Sequence, residues 1–79
     1  MDFYQTYYRL KKIHNLILTE STGTPKEFAE QMDIKERQLY NIMRDLRSRN
    51  LPIKYSRLVK TYYYTHYFDW ERFLENGML

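Results

Sequence analysis

The chain has 79 residues, with 13 lysines and arginines against 10 aspartates and glutamates, a net charge of +3 and no cysteine. That length supports one small domain, and the missing cysteines exclude disulfide staples and thiolate metal sites. No run approaches the roughly 20 apolar residues of a membrane helix. The opening Met-Asp-Phe-Tyr lacks the basic start and apolar run of a signal peptide, so a soluble cytoplasmic protein is the expectation.

A first helix is expected from about Asp2 to about Thr19, because Phe3, Tyr7, Leu10, His14 and Ile17 form a seam that Ile13 and Leu16 widen. The seam is wider than one neighbouring layer needs. It suits the central beam of a small core, and its aromatic N-terminal half (Phe3, Tyr4, Tyr7) also suits a second subunit. Ser21-Thr22-Gly23 breaks the helix, with Gly23 free to take the left-handed conformation.

Residues 24–44 carry the strongest local signal. Thr24 caps a second helix, Pro25 occupies its first turn and Glu27 stands where a capping box needs a carboxylate. This helix ends near Gln31 or Met32 and buries Phe28, Ala29 and Met32. Asp33 takes the corner, where a positive φ is usual, and Ile34 plugs it. A third helix runs from Lys35 or Glu36 to Arg49 or Asn50, burying Leu39, Ile42, Met43 and Leu46. Lys35 is a poor cap for it. Small residue, turn, apolar plug and two apolar returns describe a helix-turn-helix, over about residues 24–49.

Asn50-Leu51-Pro52 stops the third helix. Ile53 to Ser56 alternates as a half-buried strand, Arg57 to Lys60 forms a hairpin tip, and Thr61 to His66 is β-branched and aromatic. This wing spans about residues 52–66. A short tail helix follows over about 69–76, with Trp70, Phe73 and Leu74 on one side and Gly77 as its stop. The expected fold is therefore mainly α with a small β-hairpin: a single winged helix-turn-helix domain over residues 1–79, with three helices, a two-stranded wing and a short C-terminal helix.

Charge is unevenly spread. Residues 1–34 sum to −1 and residues 62–79 to −2, whereas Lys35, Arg37, Arg44, Arg47, Arg49, Lys54, Arg57 and Lys60 against Glu36 and Asp45 give +6. A solvated basic surface is common, but this block coincides with the third helix and the wing, which favours a phosphate-binding face.

In order and spacing, the chain resembles the winged helix-turn-helix domains at the N-terminus of DeoR-like, WYL-type and biotin-repressor-like bacterial regulators. The matching pieces are Gly23-Thr24-Pro25, Phe28-Ala29, Met32-Asp33-Ile34, Leu39-Tyr40, Asp45-Leu46, Pro52-Ile53-Lys54-Tyr55 and Lys60-Thr61-Tyr62-Tyr63-Tyr64. They cover about residues 10–65. Asp33 stands for the usual Gly and Lys35 for the usual Ser or Thr. Ligand control, which the larger regulators of this kind draw from an effector-binding domain, is not expected to carry over.

The resemblance implies a sequence-specific regulator bound to double-stranded DNA. Helix three would enter the major groove, with Arg37, Gln38, Tyr40, Asn41 and Arg44 as candidates for base reading. Lys35, Arg47, Lys54, Arg57 and Lys60 would meet phosphates, and Arg57 also suits a narrow minor groove. A homodimer is expected because one winged helix reads a short half-site, with Phe3, Tyr4, Tyr7, Trp70 and Phe73 as its candidate surface.

Enzymatic chemistry finds no support. His14 and His66 belong to no metal-ligand spacing, the serines lack elbow glycines, and the two glycines, Gly23 and Gly77, make no phosphate loop. No metal or cofactor is expected. Tyr62, Tyr63 and Tyr64 suit single-strand stacking less well than inward packing. The competing reading is a protein–protein interaction module, an adaptor or a phage-type inhibitor of a host enzyme, using the aromatic ends. A weaker one is an excisionase-like protein whose output is DNA bending.

Overall fold

A computed structural model describes the backbone from Phe3 to Glu75 and side chains from Tyr7 to Glu75. Its elements are α1 (Phe3–Leu18), α2 (Pro25–Met32), α3 (Glu36–Ser48), β1 (Ile53–Ser56), β2 (Thr61–Tyr64) and α4 (Trp70–Glu75). Four helices and a two-stranded antiparallel hairpin make a winged-helix-like arrangement among the described residues. Phe3 and Tyr4 have side chains outside those described, and Gly77 lies beyond them.

Each of the first three helices ends the same way. Glu20, Asp33 and Asn50 take positive φ values of 52°, 57° and 70°. The next N–H then reaches back to a carbonyl five residues earlier: Ser21 to Leu16 at 2.8 Å, Ile34 to Ala29 at 3.0 Å and Leu51 to Leu46 at 3.2 Å. This satisfies carbonyls that a helix end leaves bare. Asp33 does what its position suggests, whereas Glu20 is an unexpected residue for a left-handed turn. Gly23, at φ 72°, is the one described glycine, and a Cβ there would stand 2.9 Å from Glu27 Cβ.

The capping box on α2 is complete. Thr24 Oγ1 accepts from Glu27 N at 3.2 Å, and Glu27 Oε1 accepts from Thr24 N at 3.0 Å. The bond from the Thr24 backbone holds the Glu27 carboxyl below the usual carboxylate range, and the Lys60 cation adds to this more weakly.

The core draws on every element up to β2. Ile13 and Ile17 come from α1, Phe28, Ala29 and Met32 from α2, and Leu39, Met43 and Leu46 from α3. Ile42, expected in the buried row, is half-buried. Leu51, Ile53 and Tyr62 close the core from the wing. The hairpin register pairs Ile53 with Tyr64 and Ser56 with Thr61. The second strand ends at Tyr64, two residues before the expected His66. Beyond the Ile53–Tyr64 pair stands Pro52, which has no N–H to extend the ladder; its carbonyl accepts from Thr65 N at 2.8 Å.

The α1–α2 connection is tied to the wing by two buried threonines. Thr22 is fully buried; its Oγ1 lies 3.1 Å from Thr61 Oγ1 and accepts from Tyr62 N at 2.8 Å. Gln31 Nε2 holds the same connection by donating to the carbonyls of Ser21 and Thr22, both at 3.0 Å.

The tail packs onto α1 through aromatic rings. The Trp70 ring stacks on His14 at 4.5 Å and 10°, and Phe68 lies between Tyr64 and Phe73. The Tyr64 hydroxyl is 2.8 Å from His14 Nδ1 and donates to it when the ring proton sits on Nε2. Burial pushes the His14 pKa down and the Tyr64 phenol up. Trp70 and Phe73, offered by the sequence for a second subunit, are thus half-buried against their own chain.

Two outcomes are expected. Thr22→Ala leaves the Tyr62 N–H buried without its acceptor and costs about 1–3 kcal/mol in urea unfolding, while Thr22→Ser retains most of the stability. Because the folded His14 resists its proton, stability is full above the ordinary histidine value of 6.5 and falls as pH drops below it. Urea unfolding followed by Trp70 fluorescence at pH 7.5 and 5.5 checks this, and His14→Gln should remove most of the difference.

Candidate nucleic-acid interface

Helix α3 buries Leu39, Met43 and Leu46 at 0%, 1% and 4% exposure, so its opposite side must face solvent. Arg37, Asn41, Arg44 and Ser48 follow at spacings of four, three and four, which places them on one stripe diametrically away from that core row. All four are exposed. Tyr40, 51% exposed, and Arg47 flank the stripe on one side. Gln38 and Asp45 flank it on the other.

Four of the sequence candidates make hydrogen bonds within the protein. Gln38 Oε1 accepts from Lys35 N at 2.9 Å, closing the start of α3 that the Lys35 side chain leaves uncapped. Gln38 thus caps the start of α3, a role beyond its candidacy for base reading. Arg44 Nη2 donates to Asn41 Oδ1 at 2.9 Å, so these two act as a pair on the stripe. Arg47 Nε donates to the Ile53 carbonyl at 3.1 Å, and its guanidinium sits 5.9 Å from the centre of the Tyr62 ring. Arg47 thus joins α3 to the wing, a role that a phosphate contact alone does not describe.

The remaining cations lie at the start of α3, where Lys35 is exposed, and on the hairpin, where Lys54, Arg57 and Lys60 are exposed. The hairpin's other face is committed inward: Tyr62 packs against Tyr55 at 5.0 Å and Phe28 at 5.6 Å. Burial raises the Tyr62 phenol pKa. At the far end of α3, Arg49 pairs with Asp45 at 3.2 Å, an exposed bridge of little energetic weight.

A second feature lies on α1. An open concavity of about 680 Å³ is lined by Tyr7, Tyr8, Lys11, Lys12, Asn15, Leu16 and Thr19. Lys12 Nζ donates to the Gln31 carbonyl at 2.8 Å, and Leu18 nearby in sequence is 58% exposed. Tyr7, from the candidate dimer surface, belongs to this groove.

No group of three or more His, Asp or Glu residues that could hold a metal occurs among the described residues. No described helix is long and apolar enough to cross a membrane. Comparison of the chain with protein-family models, with curated proteins and with solved structures finds no match.

Their place on α3 made Gln38 and Arg47 candidates for DNA contact alongside Asn41 and Arg44. Gln38 carried a usable signal, since a Gln at the third helical position completes a capping box. Arg47 carried none, because its acceptor is a carbonyl in another element. Arg47→Ala is expected to cost about 1–2 kcal/mol of unfolding free energy, with Arg47→Lys recovering only part because lysine lacks the planar fork. Unchanged urea midpoints in both variants would return Arg47 to a purely phosphate-binding role.

Proposed function

We propose that this protein is a sequence-specific double-stranded DNA-binding protein, acting as a transcriptional regulator in the cytoplasm. The observation that carries this reading is the exposed Arg37–Asn41–Arg44 stripe, opposite the buried row of α3 and beside a wing bearing Lys54, Arg57 and Lys60. In this reading the stripe enters the major groove. Arginine pairs with guanine and asparagine with adenine, each good pair adding about 1–3 kcal/mol of discrimination. Asn41 and Arg44 exchange their mutual hydrogen bond for bonds to neighbouring bases. Tyr40 reaches a phosphate or a base edge at the side of the stripe. Lys35 and the wing cations meet phosphates and set the register without reading sequence.

A protein–protein interaction module is the second reading, and the α1 groove lined by Tyr7 and Tyr8, together with the exposed Leu18 on the same helix, favours it. A homodimer using the same groove is compatible with the first reading, because a two-fold pair reads two half-sites.

Selection of bound sites from random duplex DNA, followed by gel shifts at two salt concentrations, tests the proposal. Arg44→Ala and Asn41→Ala should each relax preference at one or two base positions with circular dichroism unchanged. Lys54→Ala should weaken all sequences equally and flatten the salt slope by about one. Binding that neither selects sequence nor weakens with salt would favour the interaction module.

A further inference from the structure

The tip of the wing is apolar where a turn is ordinarily polar. Gly, Asn, Asp and Ser dominate such connections for conformational reasons. Here Leu58 and Val59 stand together in the turn between Arg57 and Lys60, 92% and 61% exposed. The turn is closed by a bond of its own and leaves both side chains in solvent. Ser56 Oγ accepts from Val59 N at 3.3 Å, and Lys60 turns the chain into β2 with φ 54°. The inward face of the hairpin is already filled by Tyr55 and Tyr62 against Phe28. Leu58 therefore has no place in its own domain.

An aliphatic side chain bracketed by two cations matches a surface with negative charge outside and apolar layers within. A base stack behind its phosphate rails is such a surface, and so is an anionic lipid interface. The duplex is favoured because the neighbouring α3 stripe offers the hydrogen-bonding groups Arg37, Asn41 and Arg44, which suit base edges. Nothing in that stripe suits an acyl layer.

Resting on the DNA-binding reading, we propose that Leu58 is an apolar wedge that enters a base step from the minor groove, unstacks it and bends the duplex. Arg57 and Lys60 hold the flanking phosphates. Apolar side chains placed between base steps kink DNA toward the major groove, and the bend brings more of the duplex onto the protein. Flexible pyrimidine–purine steps then become preferred beneath the wing, a selectivity that α3 does not supply.

The probe is a duplex recovered by selection from a random pool, labelled at both ends for energy transfer and carrying 2-aminopurine at successive steps beside the α3 site. The full chain should shorten the end-to-end distance and raise 2-aminopurine fluorescence at one step. Leu58→Ser should abolish both signals while keeping the base preference set by α3, and Leu58→Met should restore them. The fold is not at stake, since Leu58 is 92% exposed. A selected duplex that stays straight, or signals identical in Leu58→Ser, overturns the wedge and leaves the DNA reading standing. Recovery of no duplex overturns both. Unchanged duplex signals in Leu58→Ser, with loss of sedimentation on phosphatidylglycerol–phosphatidylcholine vesicles, overturn the wedge in favour of lipid.

Discussion

Helix α3 is seated on one side only, and the organisation of the molecule follows from that. Leu39, Met43 and Leu46 are removed from water in the same core as Phe28, Ile13 and Ile17, and rotating the helix would bring arginines into that core without partners. Burying an unpaired charge costs far more than any single apolar contact returns. The rotation of α3 is thereby set, and Arg37, Asn41, Arg44 and Ser48 must lie outward. The corner between α2 and α3 sets its direction, since Asp33 at φ 57° and the Ile34-to-Ala29 bond fix how one helix leaves the other.

The wing is positioned by polar bonds more than by its own pairing. Two four-residue strands are too few to be stable alone. Thr22 and Thr61 anchor the hairpin to the α1–α2 connection, Arg47 anchors it to α3, and Tyr64 anchors it to His14. These three ties come from three different helices or connections. Together they leave the tip, Arg57 to Lys60, as the part of the hairpin with least to do inside the domain.

Polar residues on α3 divide between fold and surface. Gln38 closes the helix start because Lys35 does not, and Arg47 spans to the wing because Ile53 presents a carbonyl there. The bulk of the +6 block remains outward even so. Its concentration raises the local potential for any polyanion, and such a field acts on association rate and salt dependence before any individual contact forms.

Elements whose signals are short-range and periodic were legible in the sequence. The Thr24–Glu27 box, the Asp33 corner, the Leu39–Met43–Leu46 row and the alternation in Ile53–Ser56 each lie within about one or two turns of chain, where propensity and spacing act directly. The order of helices and hairpin follows from them. Tertiary structure alone decided the contacts between distant segments: Thr22 with Thr61, Arg47 with the Ile53 carbonyl, and His14 stacked on Trp70. It also turned Trp70 toward α1 and Phe73 against Phe68, and left Leu58 bare at the tip. A side chain carries no mark of the partner it meets across the fold, because that partner is chosen by how the helices pack and not by its neighbours in the chain.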